Sequence, residues 1–175
     1  MDKQTLNLCA RYNVWATEKL VTALKTVSDE DFVQDQGLFF KSIFATLNHI
    51  LVGEHYLWFP RFNGQPCAKT LSLNSIIEHD RALLFNQLIY KSKNWISFLQ
   101  HVDDSTVCQN LSYISTSGQQ VCVPFSAALL HVFNHGTHHR GQITAALTAM
   151  GYPCPALDLI YMLMEGEDGQ NENRC

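Results

Sequence analysis

The sequence is short of charge. Only 16% of its 175 residues are Asp, Glu, Lys or Arg, against about a quarter in ordinary water-soluble domains. Cations are too sparse for a row of phosphates: 12 Lys and Arg face 16 Asp and Glu, and the closest basic pair is Lys91 and Lys93. Direct nucleic-acid binding, which draws its affinity from clustered cations, is therefore disfavoured. No window supplies about 18 uninterrupted apolar residues, so no membrane span is expected. The opening Met1-Asp2-Lys3-Gln4 lacks the basic and apolar regions of a secretory signal, and a cytoplasmic location is the expectation. Six cysteines occur without a Cys-x-x-Cys pair, which excludes a zinc ribbon or a thioredoxin-type motif and leaves them as inert thiols. His-Glu-x-x-His is missing, as is Glu-x-x-His, so neither a zincin protease helix nor a ferritin-like di-iron bundle is encoded.

What the sequence does have is apolar material, 46% of all residues and 11% aromatic, enough to close one core in a single domain over 1–175. Helical periodicity runs through about Lys3–Thr26, Lys41–Phe62, Leu73–His101 and from Pro124 to the Gly151 stop. Ser28-Asp29-Glu30-Asp31 reads as a cap opening a short extra turn. Two alternating runs, Leu111–Thr116 and Gln120–Val123, flank Ser117-Gly118 and predict a β-hairpin inserted at about 106–123. A short terminal helix is expected over Ala156–Met164, with a flexible polar tail over 165–175. The fold class is therefore all-α, an antiparallel bundle of four long helices carrying a small hairpin and a short C-terminal helix.

Between Ser105 and Leu157 the single formal charge is Arg140, so the fourth helix belongs in the centre of the bundle or against a second chain, and a homodimer is expected. On this helix His135 and His139 lie one turn apart and about 40° apart in projection, sharing a sector with Ala128, Val132, Ile143 and Ala146. Two imidazoles on an inward face can reach one ion. From the second helix His49 and His55 point about 120° apart, and His49 is the better third donor: it shares its sector with Ser42, Ala45, Gly53 and Tyr56, whereas His55 has bulky Phe59 beside it. His131 extends the stripe as a third ligand, an outer partner of a ligand, or a core histidine bonded to a carbonyl. Three histidines with an open position suit one divalent transition ion, zinc, nickel, iron or manganese. Tyr56 is a candidate donor to a bound oxygen, or else a packed core tyrosine. Arg140 is a candidate anchor for an anionic group or for Asp158, or else a cation solvated at the bundle edge.

The run His131-Val132-Phe133-Asn134-His135-Gly136-Thr137-His138-His139-Arg140-Gly141-Gln142-Ile143, with Leu47-Asn48-His49-Ile50 upstream, resembles the DinB/YfiT-like superfamily over nearly the whole chain. This resemblance implies an up-down-down-up four-helix bundle, commonly dimeric, binding one divalent ion through His49, His135 and His139. Family members with known chemistry include thiol-dependent S-transferases and an isomerase that uses small-molecule thiols. On the residues alone, an ion on three histidines would lower the pKa of a water in its open position, giving either a hydrolase or a site where a thiol binds as thiolate for transfer to an electrophile. The alternative is a non-catalytic metal-binding protein of the stress response, in which the histidines only staple two helices together. A helical interaction module without metal ranks third.

Overall fold

The computed structural model of the chain describes residues 1–67 and 71–171. Helix α1 (Lys3–Leu24) opens on Asp2, whose side chain accepts from the Thr5 amide. The short α2 (Asp29–Val33) opens on Ser28, which accepts from Asp31, so the cap predicted there forms. The second long helix begins as α3 (Ile43–Ile50) after Ser42 accepts from Ala45, becomes a π-helical segment over Leu51–Trp58, and ends as α4 (Phe59–Phe62). Pro60 has no N–H to return to the preceding turn, and the Phe59 amide bonds five residues back to Glu54.

The third long helix, α5 (Arg81–His101), starts eight residues later than periodicity suggested. Asp80 accepts from Leu83 and sets the boundary, while Asn48 of α3 holds the preceding segment by accepting from the Ile77 and Glu78 amides and donating to the Glu78 carbonyl. A tertiary hydrogen-bond clamp thus overrides the local helical pattern. After α6 (Asp104–Val107), strands β1 (Asn110–Ile114) and β2 (Gln120–Pro124) form the hairpin, with Leu111 opposite Val123 and Tyr113 opposite Val121. Helix α7 (Phe125–Ala149) ends before Gly151, which takes φ 79°. Helix α8 is Leu159–Asn171. It runs past Glu165, where a frayed tail was expected, and Glu165 is held by Trp15 Nε1 at 2.8 Å and Lys19 Nζ at 2.7 Å; residues 172–175 of that expected tail lie outside the described residues.

Two apolar clusters reveal the helix directions. One joins Leu20, Val21 and Leu24 at the end of α1 to Ile43 and Leu47 at the start of α3, Leu84 and Leu88 at the start of α5, and Ile143 and Leu147 at the end of α7. The other joins Leu6 and Ala10 at the start of α1 to Phe62, to Trp95 and Leu99 at the end of α5, and to Phe125 and Leu129 at the start of α7. The four long helices therefore run up, down, down and up. Between the two clusters lies a buried polar layer, Asn13, His49, Glu54, His55, His139 and Arg140. No helix among the described residues is long and apolar enough to cross a membrane.

Candidate metal centre

The π-helical segment decides which side chains of the second long helix face α7. Regular α-helix advances about 100° per residue and the wider π-helix about 82°. From His49, two α steps and two π steps bring Gly53 back to the same face, but Tyr56 falls roughly 110° away and His55 nearly opposite. The contacts agree: Gly53 abuts the His135 ring, whereas the Tyr56 hydroxyl donates to Gln87 Oε1 on α5 at 3.3 Å and its ring lies under Lys91. The shared sector of His49 and Tyr56 drawn on a regular wheel is thus corrected by the π turn. His55 is buried beside Glu54, 3.7 Å between Nε2 and Oε2.

His49, His135 and His139 come together, with one ring nitrogen from each within 4.8 Å of the others. His135 Nε2 lies 3.0 Å from His49 Nε2 and 3.1 Å from His139 Nε2. Outer partners orient two of the rings. The Leu73 carbonyl, 2.9 Å from His49 Nδ1, can only accept, so that nitrogen carries the proton and Nε2 is left bare. Gln142 Oε1, 2.8 Å from His139 Nδ1, does the same for His139, while Gln142 Nε2 donates to His138 Nε2 at 3.1 Å. Among the described residues, His135 Nδ1 is buried without a partner.

A neutral His135 can supply one Nε2 proton at most, so at least one pair of these nitrogens presents lone pair to lone pair at hydrogen-bond distance. A cation between them removes that repulsion. Tetrahedral zinc, with Zn–N bonds of 2.0–2.1 Å, needs nitrogen–nitrogen edges of about 3.3 Å, close to the 3.0 and 3.1 Å of the two edges that meet at His135, and the donor set suits such an ion. Burial, followed by the neighbouring imidazoles, pushes the His135 pKa down to about 3. Burial takes His139 down to about 4 against the opposing Gln142 hydrogen bond, and lowers His49 as well. All three rings are neutral at pH 7, the state a ligand requires.

Phe40 stacks on His49, 3.8 Å between centroids, and meets His139 edge-on at 5.6 Å. It is carried there by a tight turn in which the Lys41 amide bonds the Leu38 carbonyl and Lys41 takes φ 74°, a strained value for a residue with a Cβ. Nothing in the sequence pattern marked Phe40. Gln142, three residues beyond His139 on the same helix, was within reach of an i, i+3 argument.

His131 is exposed, its ring 5.2 Å from Trp58 and 5.8 Å from His135, outside the nitrogen cluster. Arg140 is 2% exposed, so it is not a cation solvated at the bundle edge. Its Nη1 donates to Asn13 Oδ1 at 2.7 Å and Nη2 to Thr137 Oγ1 at 3.2 Å. Asn13 in turn donates to Glu54 Oε2 at 2.9 Å. Burial raises the Glu54 carboxyl to about 7 against the pull of Arg140 and Asn13.

Comparison with known proteins adds the ancestry. Residues 1–173 match the family model described as DinB family. The chain is 30% identical over 159 residues to Protein DinB of Bacillus subtilis (strain 168), covering 87% of this chain and 91% of that one. Its fold matches the solved structure of YfiT from Bacillus subtilis, described as a probable metal-dependent hydrolase with an unusual four-helix bundle topology, at TM-score 0.66 and 16% identity over 87% of this chain and 91% of that one. On the match of its whole helical domain, this chain belongs to the DinB family.

Proposed function

We propose that the protein is a metal-dependent enzyme that holds one divalent transition ion on His49, His135 and His139 and acts on a small molecule as a hydrolase or a thiol-dependent transferase. The observation that carries this reading is the convergence of three imidazole Nε2 atoms, two of them kept free of protons by their Nδ1 partners. Among the described residues no fourth His, Cys, Asp or Glu joins the group, which favours an open position over a closed structural site. The description of the YfiT structure as a metal-dependent hydrolase supports the same class.

A bound ion supplies Lewis acidity and lowers the pKa of a water or thiol that reaches it. The chain's own contributions are orientation and exclusion of water. Leu73 and Gln142 fix the tautomers of His49 and His139, and Phe40 covers the His49 face. Neither Tyr56 nor Arg140 points a polar atom at the three imidazoles: the Tyr56 hydroxyl is directed to Gln87, and the Arg140 guanidinium to Asn13 and Thr137.

The protein works in the cytoplasm as a homodimer. Helix α8 supports the dimer: Leu159, Ile160, Tyr161, Leu163 and Met164 are all exposed, a row that water covers poorly on a monomer. Sedimentation at micromolar concentration is expected to give twice the 19.9 kDa chain mass, and a single-chain species overturns this part. To test the chemistry, cobalt-loaded protein is titrated with thiol and with azide, then assayed with thiol plus electrophile and separately with esters and amides. A spectral change and turnover lost in His49→Ala are expected. A spectrum indifferent to both additives closes the coordination sphere and favours the stapling reading.

A further inference from the structure

Beside the histidines, about 100° round α7, the polar layer forms a second cluster that the chemistry above does not use. Asn13, Glu54 and Arg140 are 0%, 1% and 2% exposed and tie α1, the π-helical segment and α7 through two hydrogen bonds of 2.9 and 2.7 Å. Its two positions on α7, Gly136 and Arg140, directly follow the two histidines, so the i, i+4 row of the cluster is the ligand row moved on by one residue.

The packing across these segments is reciprocal. A Cβ on Gly53 of the π-helical segment would lie 3.4 Å from His135 Cε1, and a Cβ on Gly136 of α7 would lie 2.4 Å from Glu54 Oε1, 2.9 Å from Arg140 Nη1 and 3.0 Å from Asn13 Oδ1. Each segment gives a glycine to the other's polar side chain. Sliding or rotating α7 would drive one of these atoms into backbone and leave a buried carboxylate or guanidinium without its partner, an arrangement with a severe penalty. An apolar layer of the same volume would tolerate such a shift far better, because hydrophobic packing is not directional.

Resting on the metal-site reading, we propose that Asn13, Glu54 and Arg140 are positioning residues: they lock the register of α7 against the π-helical segment, with Gly136 making room, and so set the spacing of the three Nε2 atoms. Buried clusters of charged groups, here Glu54 and Arg140 bridged by Asn13, are often replaceable by apolar residues without loss of stability, which separates positioning from simple support. The test is the triple variant Asn13→Leu/Glu54→Met/Arg140→Met in the full chain. It is read by thermal midpoint, cobalt affinity, the cobalt visible spectrum and, without metal, the nuclear Overhauser contacts among the Hε1 protons of His49, His135 and His139.

The expected result is a folded variant with cobalt affinity reduced about 10–100-fold, the range for groups that orient ligands, an altered spectrum and weakened ring contacts. Unchanged affinity and unchanged ring contacts overturn the proposal, whatever the midpoint does. If the wild-type chain takes up no cobalt, the metal reading fails by itself and the ring contacts alone decide the positioning. If the triple variant does not fold, a cycle of Gly136→Ala and Glu54→Ala decides by the same ring contacts and cobalt affinity. The loss caused by Gly136→Ala should shrink once Glu54 is truncated, and additive losses overturn the proposal.

Discussion

Gln142→Leu removes the acceptor of the His139 Nδ1 proton while keeping most of the side-chain volume. In the native chain that hydrogen bond is 2.8 Å long and its imidazole is 5% exposed, so water is a poor substitute for the lost partner. One neutral hydrogen bond is worth about 1 kcal/mol net, or roughly fivefold in an equilibrium. Freed of Gln142, His139 also regains the tautomer that protonates Nε2 and blocks the ligand lone pair, so the combined loss of metal affinity should be about 10–30-fold, within the range for outer partners of ligands. Fold stability should change by less than about 1 kcal/mol, since Gln142 lies at the half-buried rim. Gln142→Glu is the control: a carboxylate accepts the same proton more strongly and should hold affinity at or above wild type. Competitive titration against a chromophoric chelator measures all three proteins. If the Leu and Glu variants both fall within about twofold of wild type, the Gln142 contact does not orient His139 and the reasoning fails.

Acid should unfold the metal-free chain early. His55 and His135 are pushed down to about 3 and His139 to about 4, in each case first by burial. The unfolded chain takes these protons near 6.5 while the folded one refuses them, so stability present above about 6.5 is lost as pH falls toward 4. Glu54, raised to about 7 by burial, acts oppositely: its contribution is present below about 4.5 and is lost as pH rises through 7, leaving a net uptake of about two protons on unfolding near pH 5.5. Urea titrations across this range check the slope, and a flat profile contradicts the burial of these groups. Trp95→Ala should cost about 3–5 kcal/mol in the same assay, because Trp95 is fully buried among Phe59, Phe62, Phe98 and Phe133; a loss under about 1 kcal/mol contradicts that packing. His131→Ala should retain full metal content by elemental analysis, since its ring stands outside the nitrogen cluster, and loss of the metal would make it a ligand.

Four long helices, the hairpin and the pair on α7 were legible because they rest on local rules: periodicity, the Ser117-Gly118 turn, Pro124 before a helix and Gly151 after it. Long-range events were not. The start of α5 depends on Asn48 gripping the backbone of 77–78 from another element, which no window of sequence contains. The π turn has no hydrophobic signature, yet it keeps Gly53 under His135 and carries Tyr56 round to α5. His49 was separable from His55 because it precedes the π turn, where the regular wheel still holds. Phe40 reaches His49 through a strained turn at Lys41, and a lysine there gives no warning of a left-handed backbone. Arg140 stood out as the one charge in a long neutral stretch, but its burial against Asn13 and Glu54 depends on residues 127 and 86 positions away.

Anomalous diffraction from crystals of the untagged protein loaded with zinc, recorded above and below the metal's absorption edge, tests the metal centre most directly. One peak per chain is expected, about 2.0–2.1 Å from Nε2 of His49, His135 and His139, and it should vanish in His135→Ala crystals. A peak elsewhere, or none at that cluster in metal-loaded crystals, would contradict it.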